Sequence, residues 1–258
     1  MATVSSHGTS IYYEVHGEGD RTLVFAHGMG GNGAIWFNQV AHFSPDYRVI
    51  VFDHRYFGRS HCAVDDFRPA WFPDDALAIL DAENISTATF ICQSMGGWTG
   101  SQLALRHADR VDGLVMSHTP GVFTHASAVN DRRAVIQLVS QRTSSFSTPA
   151  LAADYPAKNP VGAVLYAEIS AFNSIDPAVI PRKIGEAGID VDTDSIDDYK
   201  VPTLFITADH DVLFPPAYIE ALAHAVPGAG FANLGDAGHS SYFEIPEVFN
   251  ARLEQFLA

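Results

Sequence analysis

The chain is short of positive charge, of cysteine and of long apolar runs, and each shortage removes a class of function. Lys and Arg number 15 against 30 Asp and Glu in 258 residues, for a formal net charge of −15. Nucleic acid and anionic lipid both demand a positive surface, so neither is an expected partner. The adjacent basic pairs Arg132-Arg133 and Arg182-Lys183 do not offset this. No apolar run approaches the roughly 18 residues of a membrane span. Met1 to Glu14 shows no basic segment followed by an apolar one, so no secretory signal is expected. Cys62 and Cys92 are the only cysteines, which suits two free thiols in a reducing cytoplasm. Neither C-x-x-C nor H-E-x-x-H spacing occurs, so the 12 histidines advertise no metal site.

What is present is alternation. Apolar, β-branched runs at Ser10 to His16, Thr22 to Ala26, Tyr47 to Phe52, Thr87 to Cys92 and Val111 to Ser117 read as strands. Val201 to Thr207 and Gly230 to Leu234 continue the series. Helical patterns stand between several of them, at Trp36 to Phe43, Pro69 to Glu83, Gly96 to Arg106 and Ala217 to Ala225, and Pro246 to Leu257 closes the chain. Runs apolar on both faces are the kind a parallel sheet buries, so the fold class is α/β with helices on both faces. The alternation stops between about Val122 and Tyr199. There the pattern is mostly helical, over Ala128 to Gln141, Thr148 to Asp154, Val161 to Phe172 and Pro177 to Ala187. This divides the chain into a core of residues 1–121 and 200–258 and a helical segment of 122–199 over the sheet's C-terminal edge, where such folds bind ligands. The acidic run Asp190 to Asp198 is read as a solvated loop.

The chemistry centres on Cys92-Gln93-Ser94-Met95-Gly96, where a buried strand turns sharply into a helix. A serine at such a turn projects its hydroxyl beyond the sheet, and small flanking residues leave room for the turn. The pattern is the nucleophile elbow G-x-S-x-G with cysteine in the first slot. A serine hydroxyl is a poor nucleophile at neutral pH, so an imidazole must take its proton, and a carboxylate must orient that imidazole. His239 and Asp211 follow Ser94 in the order Ser, Asp, His, each at the C-terminal end of a strand. Asp209 competes with Asp211 for the acid. The glycine-rich loop His27 to Gly33 is not a dinucleotide fingerprint, because it lacks G-x-G-x-x-G at its helix and the acidic partner.

These pieces together resemble the α/β-hydrolase fold superfamily. The matching residues are His27-Gly28, Asp53-x-Arg-x-x-Gly58-x-Ser60, the elbow at Ser94, Ala208-x-x-Asp211 and Gly238-His239. The departures are Cys92, Tyr56-Phe57 and Ala208. The resemblance implies a mostly parallel sheet with a helical cap inserted after the sixth strand, and a serine hydrolase needing no cofactor. Its small-x-x-Asp spacing, counted from Ala208, selects Asp211 over Asp209. It assigns the backbone N–H groups of Met29 and Met95 to an oxyanion hole. His27, Asp53 and Arg55 are expected to order their loops, and Trp36, His118 and Val212 to line the pocket.

The partner is then a small molecule, with a homo-oligomer left open. Three readings compete. One is hydrolysis of an ester or lactone of a small, largely apolar molecule through an acyl-enzyme at Ser94. Another is hydrolysis of a carbon–carbon bond in a β-diketone or vinylogous diketone. The third, of another class, is a ligand receptor or cofactor-free dioxygenase on the same scaffold.

Overall fold

Two-faced burial explains why the central strands are legible as apolar runs. In the computed structural model, which describes residues 1–128, 148–173, 176 and 179–258, every residue of β3 (Thr22–Ala26) and β5 (Ala88–Gln93) is buried. The other strands of the main sheet are β1 (Ala2–Ser6), β2 (Thr9–His16), β4 (Arg48–Phe52), β6 (Val111–Ser117), β9 (Thr203–Thr207) and β10 (Gly230–Asn233). Their order is β1-β2-β4-β3-β5-β6-β9-β10. β1 and β2 pair antiparallel, as do β2 and β4, and every other pairing in this sheet is parallel. β1 was not expected from the sequence. It is an edge strand, mostly exposed, with Val4 its only large apolar residue.

Successive side chains in each strand serve opposite faces of the sheet. Val24, Ile50 and Phe90 meet α2 (Phe72–Ala82), α3 (Gly97–Arg106) and α7 (Pro216–Ala225) through Ile79, Leu80, Leu103, Ile219 and Leu222. Leu23, Phe25, Val49 and Ile91 meet α1 (Phe37–Phe43) and α9 (Pro246–Leu257) through Phe43, Phe249 and Leu253. Because the parallel strands run the same way, their C-terminal ends open onto one edge. The loops carrying Gly28, Ser94, His118 and Asp211 all leave the sheet there.

The chain between β6 and β9 leaves and rejoins the core through a two-stranded parallel pairing of β7 (Phe123–Thr124) with β8 (Val191–Asp192). Among the described residues, the helices of this segment are α4 (Tyr155–Lys158), α5 (Pro160–Ala171) and α6 (Val179–Glu186). Its hydrogen bonds reach the loops at that same edge. Asn32 Nδ2 donates to Ile169 O (2.9 Å), Asn173 Nδ2 donates to Gly30 O (2.8 Å), and Asn173 Oδ1 accepts from Gly58 N (2.8 Å). The expected helix over Thr148 to Asp154 is instead a run of turns. Thr148 Oγ1 accepts from Ala150 N, a local bond that competes with helix, and α4 begins only at Tyr155. Of the helix expected over Ala128 to Gln141, only Ala128 is described, and it lies in a bridge with His125. The acidic run is part of the neck: Asp192 Oδ1 caps Asp194 N, and Asp194 pairs with His125.

Candidate active site

Ser94 sits at the sharpest point of the sheet's edge. β5 is extended through Gln93, Ser94 takes a left-handed φ of +50°, and a short 3₁₀ turn leads into α3. A left-handed residue with a side chain is strained, which is the cost of an elbow that lifts the hydroxyl off the strand. Cysteine fits the first slot because the helix yields space opposite it. A Cβ added to Gly100 would lie 2.6 Å from Cys92 Sγ, so the room missing at position 92 is found one layer up.

Gln93, unremarked in the sequence, ties three loops together at this point. It is buried, its amide donates to His239 O (3.1 Å), and its Oε1 would lie 2.0 Å from a Cβ on Gly28. That same Cβ would be 3.0 Å from Ser94 Cβ. Only glycine allows the loop after β3 to come so close to the serine.

His239 lies in the loop after β10. Its Nδ1 lies 3.0 and 3.1 Å from the two oxygens of Asp211, and its Nε2 is buried with no hydrogen-bond partner among the described residues. Asp211 is also buried and accepts from Leu213 N and Phe214 N (2.9 Å each) and from His118 Nδ1 (2.8 Å). Burial alone would push the Asp211 carboxyl up, but His239 and His118 outweigh it and hold it far below the usual range. Asp209 is exposed and bonded to Asn233 Nδ2 (2.8 Å), away from His239. Among the described residues, the one cluster with the composition of a metal site is His118, Asp211 and His239. Both imidazole Nδ1 atoms are committed to the carboxylate, so the trio is not read as a ligand set.

The loop after β3 is held from behind. His27 Nε2 accepts from His54 N (2.9 Å), so its proton is on Nδ1, which donates to Gly28 O (2.7 Å). Gly31 N donates to the same carbonyl (3.1 Å). In a trans peptide C=O and N–H point opposite ways, so fixing Gly28 O fixes the direction of Met29 N–H. Complete burial lowers the His27 imidazole to about 4, keeping it neutral in this role. Met95 N–H lies in the first turn of the elbow helix, where N–H groups lack helical acceptors and the helix end is positive. Asp53 braces the next loop, accepting from Gly33 N and from the backbone and side chain of Arg59. Arg55 binds Asp75 through two nitrogens, both side chains fully buried.

The expected pocket residues fare unevenly. Trp36 is fully buried, its ring 4.4 Å from that of Tyr242 and 5.1 Å from that of Phe25, and it offers no surface to a ligand. It is core because it ends the 3₁₀ turn Gly33–Trp36 with its ring against Phe25 of β3. His118 is equally buried and turned toward Asp211 instead of a pocket. Val212 is 53% exposed beside Asp211. An apolar cluster not anticipated from the sequence brings Met29, Met95, Tyr56 and Trp98 together with Val179 and Ile180 of α6. A binary pattern on α6 marks its apolar face but not which loop that face meets.

Comparison with known proteins follows the same line. The model of the family described as alpha/beta hydrolase fold matches residues 21–246. A Caulobacter sp. (strain K31) protein named "Putative carbamate hydrolase RutD" is 31% identical, covering 96% of each chain. The 3-oxoadipate enol-lactonase 2 of Acinetobacter baylyi is 26% identical, over 98% of this chain and 94% of that one. Among solved structures, the enol-lactonase of Burkholderia xenovorans LB400 superposes with a TM-score of 0.81 at 27% identity, covering 99% of both chains.

Proposed function

The chain belongs to the α/β-hydrolase fold family, and from that premise we propose that it cleaves a carboxylic ester or lactone of a small, largely apolar molecule through an acyl-enzyme at Ser94. The observation that carries the reading is His239. Its Nδ1 is fixed to a buried carboxylate, while its Nε2 is buried and unbonded among the described residues, the state a general base needs before a serine proton reaches it.

In this mechanism Ser94 Oγ attacks the carbonyl carbon and its proton passes to His239 Nε2. Asp211 holds the Nδ1–H tautomer and stabilises the imidazolium that forms. The tetrahedral oxyanion is received by Met29 N–H, aimed by the His27-to-Gly28 bond, and by Met95 N–H at the positive helix end. As the intermediate collapses, the carbon–oxygen bond of the alcohol breaks and His239 returns the proton to that oxygen. In a lactone the alcohol stays tethered to the acyl group. A water then attacks the acyl-enzyme, giving its proton to His239, and the acid is released as Ser94 is reprotonated.

The substrate class draws on two supports. The apolar cluster of Met29, Met95, Tyr56 and Trp98 stands around the assigned oxyanion donors. Two of the relatives are named enol-lactonases, which open a cyclic ester. A carbamate, as in the name of the Caulobacter relative, would use the same acyl transfer. The carbon–carbon reading uses the same residues, and no feature of the site favours it.

The test is a substrate panel of p-nitrophenyl esters, γ-lactones, an aryl carbamate and a vinylogous diketone, combined with Ser94→Ala. Esters or lactones should be turned over fastest, and the alanine variant should lose about 10³-fold or more in kcat while staying folded. A serine-directed phosphonate should add once to the parent chain, at Ser94. Retained activity in the variant, or no adduct by intact mass, would show the nucleophile to be wrongly assigned.

A further inference from the structure

Asp211 serves two imidazoles, and only His239 has a part in the mechanism above. We propose that His118 is a positioning residue that holds the Asp211 carboxylate in place and shares its charge, and so sets how tightly His239 holds a proton. The proposal rests on the assignment of Ser94, Asp211 and His239 just made.

The sheet order places His118 for this task. β5, β6 and β9 are neighbours, Ser94 follows β5, Asp211 follows β9, and His118 ends β6 between them. Its N–H still completes the ladder to Ile206 O (2.8 Å), after which its own φ swings to +54°. Histidine is among the few residue types that visit this region more than rarely. The turn has two results. It sends the imidazole to Asp211, and it brings the next residue, Thr119, to donate from Oγ1 to Ser94 O (2.6 Å). One strained turn thus touches both the serine's backbone and the acid.

The hydrogen-bond pattern fixes the proton positions. An ionised carboxylate only accepts, so His118 carries its proton on Nδ1. Its Nε2 then accepts from the Ser241 hydroxyl at 2.7 Å. Burial pushes the His118 imidazole down, despite the pull of Asp211, so it bonds as a neutral donor. Ser241, His118 and Asp211 are all fully enclosed, so this second Ser-His-Asp array has no access to a substrate and is no second nucleophile. The groups facing His239 are Asp211, the His118 ring at 5.5 Å between centroids, and Glu244. The Glu244 carboxylate is engaged by Gly238 N (3.1 Å) and Ala152 N (3.0 Å).

A neutral N–H on the carboxylate disperses its charge without adding a cation beside His239. Remove that donor and the carboxylate favours the imidazolium more strongly. His239 then keeps its proton to higher pH, and the base is lost earlier as pH falls.

The experiment is kcat/KM against pH for His118→Ala and His118→Asn. Asparagine places Nδ2 where the ring has Nδ1 and tolerates a left-handed φ. The alanine variant should move the acid limb up by about 0.5–1 pH unit and lower the plateau about tenfold. The asparagine variant should hold the limb at its parent position and recover most of the rate. A limb that stays or moves down in the folded alanine variant overturns the proposal, as does a folded asparagine variant that behaves like alanine. If the alanine variant does not fold, ¹⁵N NMR of the parent's histidine rings decides, because an Nε2–H tautomer at His118 excludes the bond to Asp211. These outcomes are read on a chain that takes the phosphonate at Ser94. A chain that does not take it fails the hydrolase assignment and not the role of His118.

Discussion

The two ends of the His239 ring lie in opposite kinds of surroundings. At Nδ1 every oxygen lone-pair direction of Asp211 that matters is occupied, by His239, His118, Leu213 N and Phe214 N. At Nε2 nothing is bonded among the described residues, and Ser94, the proton donor in the mechanism proposed above, is only half-buried. A fully satisfied polar network is rigid, whereas a half-satisfied one is costly in the low dielectric of a core. The acid end is therefore the scaffold and, in the mechanism proposed above, the serine end is where bonds change. In that mechanism a substrate or water completes the open Nε2, with the carboxylate already fixed.

Breaking the scaffold end should show the largest effect. Asp211→Asn keeps the shape but lets the amide donate where His239 Nδ1–H must donate, favouring the wrong tautomer. Its kcat should fall about 10³–10⁴-fold. Asp209→Asn, on an exposed carboxylate bonded only to Asn233 among the contacts described, should stay within about twofold. Steady-state kinetics on one accepted ester check both, and the reverse ranking would move the acid to Asp209.

On the serine side the support is indirect, so its removal should cost less. His27→Ala leaves Gly28 O with Gly31 N–H alone among the described residues, and the Gly28–Met29 peptide gains freedom to rotate. Losing an oxyanion donor outright is worth about 10²–10³ in kcat. A misaimed donor should cost about tenfold, expressed in kcat with KM nearly unchanged. An unchanged kcat in a folded variant would confine His27 to packing.

The contrast also explains what could be read without a structure. The strand-end positions of Ser94, Asp211 and His239 were legible because each sits inside a short local pattern, and the buried strands because two-faced burial leaves few polar residues. His118 was not. Its partner lies 93 residues away, and its direction depends on a φ of +54° that no residue pattern announces. Trp36 misled for a related reason: an aromatic in the core domain serves a pocket or the core equally well until the facing ring, Tyr242, is known. Gln93 was passed over because a glutamine between an apolar strand and a serine has no distinguishing spacing, although its amide joins three loops. The β7–β8 neck escaped because two-residue strands 67 positions apart carry no periodicity.

The smallest expected effect separates the two ends by pH alone. His27 and His54 are wholly buried behind the loop that follows β3. Burial holds His27 to about 4, and burial with nearby His27 and Arg55 holds His54 well below the ordinary imidazole range. The unfolded chain takes up protons near about pH 6.5 while these rings do not. The unfolded state therefore binds more protons from pH 6.5 down to about 4, and stability falls with falling pH across that window. For His27 alone the loss by pH 5 is about 2 kcal/mol. Asp211 has the opposite history: its carboxyl is depressed, so its contribution is intact above the ordinary carboxyl range and fails only below it. Thermal unfolding should thus show a Tm that drops by several degrees between pH 7 and 5. The Asp211→Asn variant, whatever its Tm, should keep a slope at least as steep over that interval, because the carboxylate it removes favours proton uptake by the native state. A flat Tm from pH 7 to 5 would mean that the rings behind the loop after β3 are not held neutral by burial. A slope abolished by Asp211→Asn would place the titrating group at the acid end instead.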